Sequence, residues 1–230
     1  MPDPLADLAQ LPGVPAAVTA ATAAVDAVLR DRGLRRLSAA QLAAGRIAAA
    51  KASADLTAEP DRWRPGAVRL STQLDPLAAV IRVAPAQALA RVHALVARGV
   101  VDDAVLGRVA AGEPVATRMA GVVGLLTGST TASAVVLAAV VHAELATVAP
   151  FGDASGLVAR AAEQLVLMSC GLDPTGAIAV AAGHLDLGEA YPETLTAYAR
   201  GDVVGVKAWI LHCCAAVARG ADLTGVLART

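Results

Sequence analysis

Aromatic and charged residues are both scarce in this sequence. Phe, Trp and Tyr make up 2% of the 230 residues, Phe occurs once, and Asn does not occur. Charged residues make up 17%, below the usual quarter or so, and the formal net charge is -1. This balance offers no basic surface to a phosphate backbone, so we expect no nucleic-acid partner. Because 56% of the residues are hydrophobic, disorder is excluded, and the core must be packed from Ala, Val and Leu at close helix-to-helix approach.

Cysteine is also rare, and its positions indicate a reduced protein. Cys170, Cys213 and Cys214 are odd in number, lie in apolar helical surroundings and lack the spacing of a disulfide framework or metal site. The segment Met1–Asp7 is acidic and interrupted by proline, unlike the basic and apolar regions of a signal peptide. We therefore expect a cytoplasmic protein.

One uncharged run is long enough to cross a bilayer. It extends from Met119 to Val141, but its middle, Thr127–Ser133, is a cluster of hydroxyl residues and turn formers. The sequence therefore predicts two buried helices joined by a polar loop, and no membrane association.

The apolar residues recur with the period of a helix. Long Ala-rich segments show this pattern, and alternation typical of strands does not occur. The predicted fold is all-α, with an N-terminal helical segment over residues 1–60 and a helical core over residues 61–230. Residues 59–73, which contain Trp63, Pro65 and several turn formers, are predicted to form an ordered loop between the first helices and the main bundle.

The histidines share no local spacing that would indicate a metal site. Three of them are scattered along the chain: His93, His184 and His212. His142 is interpreted as a core or helix-end histidine, with a replacement catalytic base as the alternative.

Four arginines surround Gly33 near the end of the second predicted helix. They are Arg30, Arg32, Arg35 and Arg36. This cluster is interpreted as a solvated helix end, with a contact surface for an acidic partner as the alternative.

The segment with the strongest chemical signal runs from His142 to Arg160. A helix is predicted to end near Ala146, a tight loop follows over Pro150–Gly156, and a new helix begins beneath it. Backbone N–H groups at such a helix N-terminus converge on one place and bind anions. The alternative is that Asp153 or Ser155 is only the N-cap of the new helix.

This segment resembles the signature HPFxDGNGRxxR of the Fic (Fido-fold) family, whose members are mostly adenylyltransferases that move AMP from ATP onto a protein hydroxyl. The matching residues are Ala149, Pro150, Phe151, Gly152, Asp153, Ala154, Ser155, Gly156, Leu157 and Arg160. Flanking segments resemble the family over roughly residues 40–219, including Gly171–Pro174 and Tyr191–Asp202. The resemblance implies a Fido-like helical bundle with an N-terminal helical extension.

The departures from the signature fall on the reactive positions. Ala149 stands where the family has its general base, a histidine, and a methyl group cannot accept a proton. Leu157 replaces the first arginine, and Ala154 and Ser155 replace a Gly and an Asn. No catalytic residue is therefore assigned. The ligand-binding candidates that the resemblance implies are Phe151, Gly152, Asp153, Ser155, Gly156 and Arg160, with Asp153 as a magnesium ligand and ATP with Mg²⁺ as the cofactor.

A second family element is also altered. Many Fic proteins carry an inhibitory helix with the pattern (S/T)xxxE(G/N), whose glutamate pairs with the second motif arginine. Ser53–Ala58 aligns with this pattern, but Thr57 occupies the glutamate position. Glu59, two residues further along the chain, is one candidate to replace that glutamate as the partner of Arg160. Otherwise the partner of Arg160 would be Asp153, a bound phosphate or solvent.

These features favour a degenerate Fic-domain protein that lacks AMP transfer. Its role would be that of a regulatory or protein-binding module, with an unidentified protein partner or a second copy in a homodimer. The first alternative is a sensor that binds a nucleotide or phosphorylated metabolite through Asp153 and Arg160. Two others are a weakly active Fic-type nucleotidyltransferase and an enzyme with relocated chemistry at Asp153 or His142.

Overall fold

The computed structural model describes residues 3–31 and 38–227. Within these ranges the regular structure is helical, and the one bridge between extended residues joins Arg98 and Val101. The helices are α1 Ala6–Ala9, α2 Val14–Arg30, α3 Ala39–Asp55, α4 Pro60–Ser71, α5 Leu74–Val80, α6 Pro85–Ala97, α7 Glu113–Thr127, α8 Ala134–Val148, α9 Ser155–Ser169, α10 Val180–Asp186, α11 Ala190–Ala199 and α12 Val203–Leu227. The all-α prediction is confirmed.

Helix α8 lies at the centre of the molecule. It is apolar on all sides and buried from Val135 to Ala143, as expected of a helix enclosed by other helices. It packs against α7, α9, α11 and α12. The short segment Ala149–Ala154 connects α8 to α9, so the motif loop is held between two core helices.

Glycine allows several helices to approach each other closely. A Cβ atom built on Gly66 of α4 would lie 1.9 Å from the carbonyl oxygen of Val96, in α6. Equivalent atoms on Gly183 and Gly205 would lie 2.0 Å and 2.1 Å from carbonyl oxygens of neighbouring helices. Helix axes can come this near only where side chains are small, so the expectation of close packing drawn from composition is confirmed.

The predicted loop over residues 59–73 is wrong, because most of it forms α4. Pro60 occupies the first turn, where a missing N–H is harmless, and Pro65 removes one hydrogen bond inside the helix. Trp63, Ala67 and Leu70 lie on one face and are buried. This apolar face outweighs the turn-forming residues.

The long apolar run is divided as predicted. Helix α7 ends at Thr127 and α8 begins at Ala134, where the Ser133 hydroxyl accepts a hydrogen bond from the Val136 amide. In the described part of the chain, α12 is the helix that is long and apolar enough to cross a membrane. Trp209, Ile210 and Cys213 of α12 are buried in the core, where this helix packs against α2, α8, α10 and α11.

The arginine cluster around Gly33 lies mainly outside the described residues. Arg32, Arg35 and Arg36 belong to residues 32–37, and only Arg30, at the end of α2, falls within the described ranges.

Asp173 organises the loop between α9 and α10. Its buried carboxylate accepts hydrogen bonds from the Ala177 and Ile178 amides at 3.0 Å and 2.9 Å, and from the Gln164 side chain at 2.9 Å. We expect Asp173→Ala to lower the free energy of unfolding by about 3 kcal/mol, since it leaves buried donors without an acceptor. Urea denaturation measures this change. Asp173→Asn keeps one oxygen acceptor and should cost less; an equal loss in both variants would contradict this explanation.

Candidate functional site

The motif loop begins with a strained residue. Ala149 has φ 48°, the one positive φ among the described non-glycine residues, and it ends α8 in the left-handed conformation. Glycine or asparagine usually occupies such a helix end, since a Cβ atom is unfavourable there. Ala149 thus provides a chain reversal and a methyl group at the position of the family's base.

The loop's backbone amides are largely used within the loop. The Phe151 amide donates to the Ser155 hydroxyl at 2.9 Å, the Gly152 amide to the Ala149 carbonyl at 3.2 Å, and the Ala154 amide to the Phe151 carbonyl at 3.3 Å. The buried Ser155 side chain therefore stabilises the loop, and it does not cap α9. These three N–H groups do not converge on an external anion.

Phe151 and Gly156 support neighbouring side chains. The buried Phe151 ring lies 4.8 Å from the ring of His93, centroid to centroid. A Cβ atom on Gly156 would lie 3.3 Å from a guanidinium nitrogen of Arg160. Gly156 therefore leaves room for that guanidinium close to the start of α9.

Asp153 lies at the surface of the loop. Its side chain is 77% exposed, and the nearest paired cation is Arg62, 3.8 Å away. Arg62 also pairs with Glu59 at 2.6 Å. Glu59 therefore does not substitute for the missing inhibitory glutamate, and that alternative is wrong. Asp153 is accessible to a metal ion, so its role as a magnesium ligand stays a prediction.

Arg160 is buried and fixed by neutral partners. It is 5% exposed, and its Nε and one terminal nitrogen donate to the hydroxyl and carbonyl of Ser53 at 2.9 Å and 2.8 Å. The other terminal nitrogen donates to the Tyr191 hydroxyl at 2.9 Å. Neither Asp153 nor Glu59 is bonded to this guanidinium. Arg160 connects α3, α9 and α11.

The region aligned with the inhibitory pattern still covers the motif arginine. Ser53, the first position of that pattern, supplies both contacts from α3 to Arg160. Thr57, at the glutamate position, donates to the Ala54 carbonyl of its own helix at 2.6 Å. Helix α3 thus contacts Arg160 without an ion pair.

The position of the first motif arginine is apolar. Leu157 is buried and lines a small cavity of about 70 Å³, partly open to solvent, between α3, α4, α5, α9 and the start of α10. Other lining residues include Ser53, Ala67, Leu70, Arg160 and Ile178. A cavity of this size holds a few water molecules at most and is far smaller than the 300 Å³ or more of a typical small-molecule site.

A chain of buried polar side chains continues from Arg160 into the core. Tyr191 accepts from Arg160 and lies 3.0 Å from His142 Nε2, and His142 Nδ1 lies 2.8 Å from Glu163 Oε2. The same carboxylate oxygen is 2.8 Å from His184 Nε2, and His184 Nδ1 lies 3.0 Å from His212 Nε2. His184 and His212, which are scattered along the sequence, therefore meet in the core, and the interpretation of His142 as a core histidine is confirmed.

Sequence spacing could not reveal this chain, because its members come from α8, α9, α10, α11 and α12. The available signal was the presence of polar side chains inside apolar helices, such as Glu163 within Ala159–Leu167.

Burial controls the protonation of this polar chain. Desolvation lowers the pKa of His142 to about 4, outweighing the opposing effect of Glu163, so the imidazole is neutral. Burial by itself would raise the pKa of Glu163, but the adjacent His184 and His142 more than offset it, and the pKa lies below its usual range. The core therefore holds an ionised carboxylate between two histidines.

The fold was compared with those of known proteins. No protein-family model and no curated protein matches the sequence. Among solved structures, a Fic family protein from Desulfovibrio desulfuricans G20 is similar, with a TM-score of 0.60 and 19% sequence identity. The match covers 91% of this chain and 75% of that chain. The chain therefore has the Fic fold that its motif resemblance implied.

Proposed function

We propose that this chain is a Fic-fold protein that does not transfer AMP and acts as a regulatory module by binding a protein partner. The observation that carries the proposal is the fixed position of Arg160. A guanidinium that binds phosphate must face the ligand, but this one is buried beneath α3 and bonded to Ser53 and Tyr191. Its bonds stabilise the fold.

The loop also lacks a group that could accept the proton of a target hydroxyl. A positioned general base contributes about 10²- to 10⁴-fold to rate, and Ala149 offers none. His142 cannot replace it, because its side chain has no solvent exposure and both ring nitrogens are engaged, with Glu163 and Tyr191. Relocated chemistry at His142 is therefore disfavoured.

The proposal predicts that the purified protein neither binds nor uses ATP. Calorimetric titration with ATP and Mg²⁺ to millimolar concentration should give no saturable heat, and incubation with ATP labelled in the α-phosphate should leave protein unlabelled. Ala149→His, which restores only the base, should behave identically because Leu157 and the buried Arg160 still provide no phosphate contacts. Label transferred by the wild-type protein, and absent with Asp153→Asn, would refute the proposal.

The nucleotide or phosphometabolite sensor is the second candidate, and the exposure of Asp153 favours it. A magnesium ligand must be accessible, and this carboxylate is, with Arg62 beside it. The same titration separates the candidates. Saturable heat with the wild-type protein that disappears in Asp153→Asn would support the sensor. No saturable heat with the wild-type protein would support the binding module.

We propose that the partner binds beside the motif loop. The segment between α6 and α7 exposes Val105 and Val109, and its Ala110 amide donates to the Pro150 carbonyl at 2.8 Å. Exposed apolar side chains can contribute to interaction surfaces. If the partner is a second copy, sedimentation should show a dimer that Val109→Asp converts to a monomer; a dimer unaffected by this change would place the homodimer interface elsewhere.

A further inference from the structure

Four metal-binding side chains meet in the core, apart from the motif loop. They are His142 of α8, Glu163 of α9, His184 of α10 and Cys213 of α12, and each is buried. One ligand atom from each lies within 4.8 Å of every other. We propose that these four side chains form a structural site for one divalent transition-metal ion of the zinc type.

The donor set matches the chemistry of zinc. Imidazole nitrogen, thiolate sulfur and carboxylate oxygen are its usual ligands, and four protein ligands make a closed tetrahedral site. Ligand distances of about 2.0 to 2.3 Å place tetrahedral donor atoms roughly 3.5 Å apart. Here two separations are 2.8 Å and the widest is 4.8 Å, so shifts of about 1 Å in side chains would accommodate the ion.

An unpartnered oxygen points to a missing ligand. Glu163 is 1% exposed, and its Oε1 atom is the one buried side-chain oxygen or nitrogen in the described residues without a hydrogen-bond partner. A buried carboxylate oxygen without a donor or cation is costly, and native cores rarely retain one. The Cys213 thiol interacts with this carboxylate, and a divalent ion bound between the two side chains would lie close to Oε1 and offset its charge.

Further side chains hold the two histidines in the orientation that metal ligands require. In metal sites the second ring nitrogen of a ligating histidine usually donates to a neighbouring acceptor, which fixes the ring. His142 Nε2 lies 3.0 Å from the Tyr191 hydroxyl, and His184 Nδ1 lies 3.0 Å from His212 Nε2. On metal binding, the two nitrogens that face Glu163 would exchange their contacts with Oε2 for bonds to the ion.

Charge balance also fits a divalent cation. Metal binding displaces the thiol proton of Cys213 to solvent, and each ligating imidazole binds the ion through an unprotonated nitrogen and carries its proton on the other nitrogen. The thiolate and the Glu163 carboxylate then offset the two positive charges. The resulting site is neutral, and an apolar core tolerates a neutral site better than a net charge.

The experiment measures metal content and ligation in the whole chain. Wild-type protein, unfolded with chelator and refolded with Co²⁺, should bind one ion per chain and show intense visible bands of a tetrahedral site with a sulfur-to-cobalt charge-transfer band. Cys213→Ser should lose the charge-transfer band, and the matched control Cys214→Ser should retain it. X-ray absorption of zinc-loaded wild-type protein should show one sulfur and three nitrogen or oxygen neighbours, a result that requires no variant to fold.

Three results would overturn the proposal. The first is folded wild-type protein that takes up no stoichiometric Co²⁺ or Zn²⁺ when refolded in its presence. The second is a charge-transfer band that persists in Cys213→Ser. The third is zinc without a sulfur neighbour, which would place the ion elsewhere.

Discussion

Gly183→Ala is expected to lower the free energy of unfolding by about 3 kcal/mol, because overpacking a well-filled helix contact costs about this much. The added Cβ atom would lie 2.0 Å from the Ala216 carbonyl oxygen and 2.8 Å from the Gly220 amide nitrogen. Both atoms belong to the backbone of α12, so the contact cannot be relieved by turning a side chain. Helix α10 must move away from α12, and His184 moves with it.

The matched control is Gly121→Ala in α7. A Cβ atom built there meets nothing within 4 Å. Alanine is favoured over glycine in a helix interior by about 1 kcal/mol, so this variant should be slightly more stable than the wild type. Urea denaturation of both proteins provides the test. Equal effects of the two substitutions would show that the closeness of α10 and α12 does not limit stability.

The helical fold was predictable because its causes are local. Ala-rich segments with helical periodicity, and the break at Thr127–Ser133, identify helices without knowledge of their neighbours. The exception is α4, where Pro60 and Pro65 indicate a turn locally. The buried face of Trp63, Ala67 and Leu70 makes this segment helical.

The sequence predicted only those features of the candidate site that depend on a local motif, and not the contacts between residues distant in sequence. Ala149, Leu157 and Thr57 could be assigned from motif alignment alone, as departures from a known pattern. The partner of Arg160 could not, because Ser53 is 107 residues away and neutral, whereas the family pattern leads one to expect an anion. The four-residue cluster proposed to bind a metal ion is similarly non-local, since each member comes from a different helix.

The Arg160 side chain links the two unusual features of the molecule. On one side it holds Ser53 of the covering helix, and on the other it bonds to Tyr191, which contacts His142 of the proposed metal site. Arg160 therefore belongs to the same hydrogen-bonded network as the core histidines. These hydrogen-bonded side chains extend from α3 to α12. Removing the Arg160 side chain should therefore destabilise regions well beyond the motif loop.

Arg160→Ala is accordingly expected to reduce the free energy of unfolding by about 3 kcal/mol, since the Ser53 carbonyl and the Tyr191 hydroxyl would lose their donor inside the protein. The expected total for a domain is roughly 5 to 15 kcal/mol, so this loss is large. It should also release the end of α3, and hydrogen exchange of the amides near Ser53 should become faster. Arg62→Ala, which removes a half-exposed arginine next to Asp153, should change stability by no more than about 0.5 kcal/mol.

The two interpretations of Arg160 predict opposite results. A group kept for binding phosphate is seldom optimal for stability, so removing it should leave the unfolding free energy unchanged or raise it. A group that fixes the fold should destabilise the protein when removed, even with no nucleotide present. A stable Arg160→Ala variant with unaltered exchange near Ser53 would therefore contradict the structural role of Arg160 on which the proposed function rests, and a destabilised one would support that role.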